Sequence, residues 1–163
     1  MTAAPIAAPI TAPITTKPGR VPPLPLDESL GFQLRDLNRL VQRALAARIA
    51  PAGVTSGAWY FLRVLWEEDG LTQRALSART GMQEPTAVIA LRGMEKAGWI
   101  TRRRDAADRR RVHIHLTQAG RALREALLPE ARAVIAQATR GMSATEAATL
   151  LALLRRARAN FPG

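Results

Sequence analysis

The stretch that decides the fold is residues 71–116, LTQRALSARTGMQEPTAVIALRGMEKAGWITRRRDAADRRRVHIHL. Thr72 carries a hydroxyl that can cap a short helix over Gln73 to Arg79, in which Ala75, Leu76 and Ala78 are apolar. Thr80-Gly81-Met82-Gln83 is a tight connection. The pattern then predicts a second helix from about Gln83 to Ala97. Pro85 falls in its first turn, where a missing N–H costs little, and Gly98 suits its C-terminal end. Two helices joined by a short Gly-containing turn make a helix-turn-helix pattern, which ordinary helical hairpins share. The residues after Gly98 separate the two. Trp99-Ile100-Thr101 predicts a short strand, and Val112, Ile114 and Leu116 alternate with His113 and His115 in the period of two of a half-buried strand. Between them lie Arg102, Arg103, Arg104, Asp105, Ala106, Ala107, Asp108, Arg109, Arg110 and Arg111, a hairpin of six arginines and two aspartates. A helix-turn-helix followed by a basic hairpin predicts a winged helix: mainly α, with a small β-hairpin wing.

Outward from this centre the chain is helical. Leu30, Leu34, Leu37, Val41, Leu45 and Ile49 recur every three or four residues, the stripe of an amphipathic helix. Asp27, Glu28 and Ser29 offer it a cap-competent start, and Pro51 and Gly53 end it. A helix bearing Trp59, Leu62, Leu65 and Trp66 follows Thr55-Ser56 and stops at Asp69-Gly70. Two more close the chain, one from near Thr117 and one whose Ser143-Ala144-Thr145-Glu146 fits a capping box. The first helix and the last two are more apolar than one small lobe can cover, so residues 27–54 and 117–163 are expected to dimerise around a DNA-binding lobe at 55–116. Residues 1–26 hold seven of the eleven prolines and are expected to be a disordered Pro/Ala/Thr-rich tail; the alternative is an arm that packs on a partner subunit, its end anchored by Leu24 and Leu26.

Composition narrows the function. There are 24 Lys+Arg against 13 Asp+Glu, a formal charge of +11, which favours a polyanionic partner. Only Lys17 and Lys96 are lysines, so an arginine-biased genome is the competing source of that charge. With no cysteine, disulfide scaffolds, thiolate zinc sites and cysteine nucleophiles are excluded. Two histidines are too few for most metal sites, and His113 and His115 read as surface residues. No metal or other cofactor is expected. Ser56 and Ser77 have no histidine near them in sequence, so no catalytic pair is visible. No apolar run approaches the ~20 residues that span a bilayer, and the start lacks the pattern of a signal peptide, so the expectation is cytoplasmic, with no membrane partner.

In helix-turn-helix docking the first turn of the second helix faces base edges. Gln83, Glu84 and Thr86 occupy that turn, and Arg92 lies further along the same helix. Gln pairs with adenine, Glu accepts from cytosine N4, and Thr reaches a base or a phosphate; helix capping by Gln83 and Thr86 and a solvated Glu84 are the alternatives. Arg102, Arg103, Arg104, Arg109, Arg110 and Arg111 would meet phosphates or a narrow minor groove, or pair with Asp105 and Asp108. The two aspartates are expected to shape the loop.

Three pieces in this order resemble the MarR family of bacterial transcription regulators: Leu71 to Ser77, Pro85-Thr86 with Met94 to Ile100, and Asp105 to Arg110 with Leu116-Thr117-Gln118-Ala119-Gly120. The resemblance runs from about Leu30 to Phe161. It implies a homodimeric winged helix-turn-helix protein, usually a repressor, released from a palindromic double-stranded operator by a small, often aromatic ligand. It also points to Arg109 and Arg110 as wing-tip contacts. Where the family often has a hydroxyl and then a basic residue, this chain has Val88 and Ile89, which would meet thymine methyls or be buried. By the same resemblance an effector cleft would be lined by Trp59 and Arg63, with Arg35, Asn38 and Arg39 opposite; aromatics at helical spacing are usually core, so ordinary packing and surface charge are the alternative. An arginine beside an aromatic suits an aromatic acid or its CoA thioester. An enzyme using that cleft, and an architectural protein binding DNA without sequence preference, are the other readings.

Overall fold

The computed structural model describes residues 24–105, 108 and 111–161. Residues 1–23, nearly all of the expected tail, lie outside the described residues, as do Ala106, Ala107, Arg109, Arg110 and residues 162–163. The chain divides into two compact units, Met1–Asp36 and Leu37–Gly163.

In the first unit the Pro25 and Leu26 carbonyls accept from the Glu28 and Ser29 N–H groups, at 3.1 and 3.2 Å. Ser29 Oγ then accepts from the Phe32 N–H at 3.4 Å, which is the capping role its position predicts. These bonds open helix α1 (Leu30–Ile49). Leu24, Leu26, Leu30 and Leu34 are all exposed.

The second unit holds the remainder of α1, a 3-10 turn at Ala50–Ala52, and helix α2 (Ser56–Glu67), capped by Thr55 Oγ1 on the Ala58 N–H. Strand β1 (Leu71–Thr72) leads directly into α3 (Gln73–Thr80), whose N-cap is Thr72 as expected. Gly81 turns the chain at φ 67°, left-handed backbone that glycine adopts without a Cβ penalty, and α4 (Glu84–Lys96) follows. Strands β2 (Ile100–Arg104) and β3 (Val112–Leu116) form the hairpin, and α5 (Gln118–Ala138) and α6 (Ala144–Ala159) end the unit.

The sheet has the order β1-β3-β2 and is antiparallel throughout. The strand β1, paired Leu71 to Ile114 and Thr72 to His113, was not expected, because two residues carry no readable period. β2 extends beyond Trp99-Ile100-Thr101 because the backbones of Arg102, Arg103 and Arg104 continue the ladder against Ile114, His113 and Val112. Alternation puts Ile100, Ile114 and Leu116 inward, where they join Phe61, Leu62 and Leu65 of α2, Leu76 of α3, and Leu91 and Met94 of α4 in one core.

The start of α5 is locked onto the exit from α4. Thr117 caps the helix through the Gly120 N–H, while its own N–H donates to the Trp99 carbonyl at 2.9 Å and its hydroxyl to the Gly98 carbonyl at 2.6 Å. Trp66 Nε1 donates to the Gly120 carbonyl at 2.9 Å. The approach is so close that a Cβ on Gly120 would stand 2.1 Å from the Trp99 oxygen. At the far end Ser143 and Glu146 make the expected capping box. No residue of α6 is buried. Leu151, Leu153 and Leu154 are exposed, as are Ile135, Met142, Leu37 and Leu40 of the same unit.

Candidate nucleic-acid interface

Helix α4 has one buried side and one bare side. Ala87, Leu91 and Met94 face the core. Pro85, Thr86, Ile89, Arg92 and Lys96 are exposed, and at about 100° per residue they fall on the side of the helix away from it. Ile89 is 74% exposed, so of the two fates open to it, burial is ruled out. Val88 is half-buried and offers less to an incoming surface. Gln83 is the N-cap residue but makes no side-chain capping bond, so its amide is not engaged as a cap; Glu84 is exposed beside it. Lys96 was not among the expected contacts. Its signal was the spacing: it stands four residues after Arg92, hence on the same face.

The wing arginines divide into distinct groups. Arg102 has a partner within the protein: its Nε donates to Glu95 Oε2 at 2.9 Å, tying β2 to the last turn of α4. The reason is register, since β2 leaves α4 so sharply that residues seven apart meet. Arg103 and Arg104 are exposed along the outer half of β2. Arg111 pairs with Asp108, Nε to Oδ2 at 3.4 Å, and remains largely exposed. Arg109 and Arg110, the expected wing-tip contacts, lie outside the described residues. Asp105 shapes the loop as expected: its Oδ1 accepts from the Asp108 N–H at 2.9 Å, and its own N–H donates to the Arg111 carbonyl.

The base of the wing is fixed by Asp69, in the turn between α2 and β1. Its Oδ1 accepts from the Leu116 N–H at 2.8 Å and the Gly70 N–H at 3.0 Å, and its Oδ2 from Arg121 at 2.6 Å. Burial pushes this carboxyl up, but the Leu116, Arg121 and Gly70 donors outweigh it and hold it below the usual carboxylate range. The two histidines are not the surface residues they were expected to be. Both are half-buried, His113 beside Asp105 and His115 beside Asp69. Among the described residues no three acidic, histidine or cysteine side chains converge as a metal site, and no helix is long and apolar enough to cross a membrane.

The expected effector residues are only partly brought together. Trp59 is 3% exposed, with its edge against Trp66 (ring centroids 5.8 Å apart) and the Arg63 guanidinium 5.6 Å from its ring centre. It is therefore core, not an open stacking surface, and belongs to the same cluster as Phe61, Leu62 and Leu65. Arg63 does line a cavity of about 350 Å³, with Leu128, Ala131, Arg132 and Ile135 of α5. A second cavity of about 270 Å³ lies between α1 and α5, lined by Leu37, Leu40, Val41, Ala44, Val134, Gln137 and Ala138. Asn38 and Arg39 are exposed on α1 and line neither. Arg35 is exposed within the first unit.

A short helix, a glycine turn, an outward helix face bearing Arg92 and Lys96 and a basic hairpin beside it define a winged helix-turn-helix protein of the DNA-binding class. Comparison with known proteins agrees. A sequence model described as MarR family matches residues 52–111. The HTH-type transcriptional regulator TtmR of Methylorubrum extorquens is 34% identical over 106 residues, which are 65% of this chain and 54% of that relative, so the match spans about half the relative's length. A probable transcriptional regulator from Pseudomonas aeruginosa, known from a crystal structure, is 36% identical with a TM-score of 0.75, covering 81% of this chain and 98% of that one. CouR from Rhodococcus jostii RHA1, crystallised with p-coumaroyl-CoA, is 25% identical with a TM-score of 0.72, covering 80% and 92%. The chain belongs to the MarR family of transcriptional regulators.

Proposed function

We propose that this chain is a homodimeric repressor that binds a palindromic operator and is released by a small aromatic acid or its CoA thioester. The observation that carries the DNA-binding half is the bare face of α4, where Thr86, Ile89, Arg92 and Lys96 stand exposed beside Arg103 and Arg104 of the wing. In a major groove Ile89 meets thymine methyls, Thr86 a base edge or phosphate, and Arg92 and Lys96 phosphates or guanine. Dimerisation is supported by the uncovered leucines of α6, with Ile135 and Met142 near it. DNA as the partner places the work in the cytoplasm.

The effector half rests on the cavity lined by Arg63 and Arg132 together with Leu128, Ala131 and Ile135, and on the likeness to a protein solved with an aromatic acyl-CoA. The carboxylate or thioester end meets an arginine and the ring lies on Leu128 and Ile135. Trp59 acts from beneath, as the surface on which Arg63 rests. A ligand that fits a spacing of the two α4 helices other than one DNA turn lowers operator affinity only by its differential affinity for that spacing. A tenfold release requires about 1.4 kcal/mol.

The test is selection of bound duplexes from a random pool, followed by footprinting and titration with hydroxycinnamates, benzoates and their CoA thioesters. An inverted repeat with half-sites about one helical turn apart is expected. Equal affinity for selected and random DNA would make the protein architectural instead. Release by such a ligand that is unchanged in Arg63→Ala and Arg132→Ala would move the pocket elsewhere.

A further inference from the structure

Of the large apolar side chains exposed among the described residues, Ile89 alone lies within residues 55–116; the others, such as Leu37, Ile135 and Leu151, belong to the long helices or the segments beside them. The residues that support pairing lie in α5, in α6 and in the turn between them, so pairing does not account for Ile89. The surface around it offers little to a hydrogen-bonding partner. One turn before it on α4 stand Pro85, which has no N–H, and Thr86; one turn after it stand Arg92 and Gly93, the latter without a side chain. Val88 and Ala90, its neighbours in sequence, are apolar and half-buried. Toward α2, Ile89 borders a cavity of about 430 Å³ with Thr55, Ala58, Ala90, Gly93 and Trp99 in its walls. Among the described residues no charged side chain lines that cavity, and Thr55 Oγ1 is already the cap that accepts from the Ala58 N–H.

The polar groups within a turn of Ile89 on the outward face are therefore the Thr86 hydroxyl, which donates or accepts, and the Arg92 guanidinium, which only donates. In the major groove thymine shows its O4 acceptor and a methyl group at C5, whereas cytosine shows an N4 amino donor and a bare C5. An isoleucine side chain has no polar atom with which to tell O4 from the amino group. What it can sense is whether a methyl group stands at C5, and 5-methylcytosine carries that group where thymine does.

We propose that Ile89 reads the C5 methyl group of a pyrimidine irrespective of the base that carries it, so that cytosine methylation at its position in the operator tightens binding. The proposal rests on the DNA-binding reading above and goes beyond a thymine contact, because it makes a modification of DNA an input to the regulator. Arg92, leaning toward the same base pair, favours the thymine oxygen over the cytosine amino group. That preference is the same with and without the methyl, so it cancels when each base is compared with its own methylated form.

The experiment measures affinity for a duplex of about 30 base pairs selected on the wild-type protein. Each thymine of the half-sites is replaced in turn, symmetrically, by uracil, which lacks only the methyl group. Taking one methyl group out of water is worth roughly fourfold in affinity. Wild type should therefore lose roughly tenfold at one position, where two methyl groups go at once. At that position cytosine and then 5-methylcytosine, each opposite guanine, should differ by the same factor. Ile89→Ala should show ratios near one in both comparisons; the side chain is 74% exposed, so its truncation leaves the core as it is. A methyl effect that belongs to the DNA alone, through stiffness or groove width, would persist in that variant. The proposal is overturned if no uracil substitution weakens wild type, if the methyl effect is confined to thymine, or if Ile89→Ala keeps both ratios. Equal affinity of wild type for the selected duplex and random DNA overturns the operator reading instead, and shows before any base is replaced.

Discussion

Gly120→Ala is the sharpest test of how the DNA lobe is joined to the long helices. The added methyl would lie 2.1 Å from the Trp99 carbonyl oxygen, 3.0 Å from its carbon and 3.1 Å from Leu116 Cδ2. Ordinary C···O contacts are about 3.3–3.6 Å, so the overlap with the oxygen exceeds about 1 Å. The obstructing atoms are backbone, so no rotamer change relieves them, and α5 must shift away from the exit of α4. Overpacking of this kind costs about 1–3 kcal/mol. The shift also weakens the bond from the Thr117 N–H to Trp99 and that from Trp66 to Gly120, each worth about 1 kcal/mol. Alanine returns at most about 1 kcal/mol in helix propensity. The expected net loss is about 2–4 kcal/mol, or roughly 10 °C in Tm for a domain of this size. Urea unfolding at matched protein concentration checks it, since dimerisation makes the midpoint concentration-dependent. Loss of under about 0.5 kcal/mol, or a gain of the size propensity alone gives, refutes the reasoning.

Replacing Arg103 and Arg104 by Ala should weaken binding to selected and random duplexes alike and reduce the salt slope by about 0.9 for each phosphate left unneutralised. Arg102→Ala should change that slope less, because its guanidinium is already on Glu95; a slope change equal to that of Arg103→Ala alone would show that the ion pair does not occupy it. Asp69→Ala should cost about 1–3 kcal/mol, as it strips the acceptor from the buried Leu116 N–H. Its lowered folded-state titration means that Asp69 stabilises above the ordinary carboxylate range and loses that contribution as pH falls through the folded value. The stability gap between wild type and Asp69→Asn, followed by urea midpoints, should therefore close as the pH drops below about 4.

Features set within one turn of chain are legible in the sequence. Thr72, Thr117 and Ser143 are caps because a hydroxyl meets an N–H three residues on, and β3 spans Val112–Leu116 because the alternation that announces it is the alternation that buries Ile114 and Leu116. The outward face of α4 is also readable, but the docking pattern centres it on the first turn, which leaves Lys96 out. Features that depend on distant partners are not legible. Arg102 reads like the other wing arginines, since nothing local says that β2 doubles back on Glu95. Trp59 reads in two ways, as core by its helical spacing and as cleft lining by the family resemblance, and its 3% exposure, set by the packed structure around it, is that of core. Gly120 matches a family pattern for which the sequence holds no reason; the 2.1 Å approach to Trp99 supplies one.

The bareness of α6 has a consequence for the protein before it has paired. A helix with no buried residue is held by its own hydrogen bonds and caps, and sixteen residues sit near the length at which such helices are marginal in water. Arg155, Arg156 and Arg158 are exposed in its last turns, each a site for a trypsin-like protease. A newly made subunit thus carries a cleavable segment that association would shield. Limited proteolysis across a dilution series should cut first at these arginines, faster as the protein is diluted, so that unpaired copies are removed in proportion to their scarcity of partners.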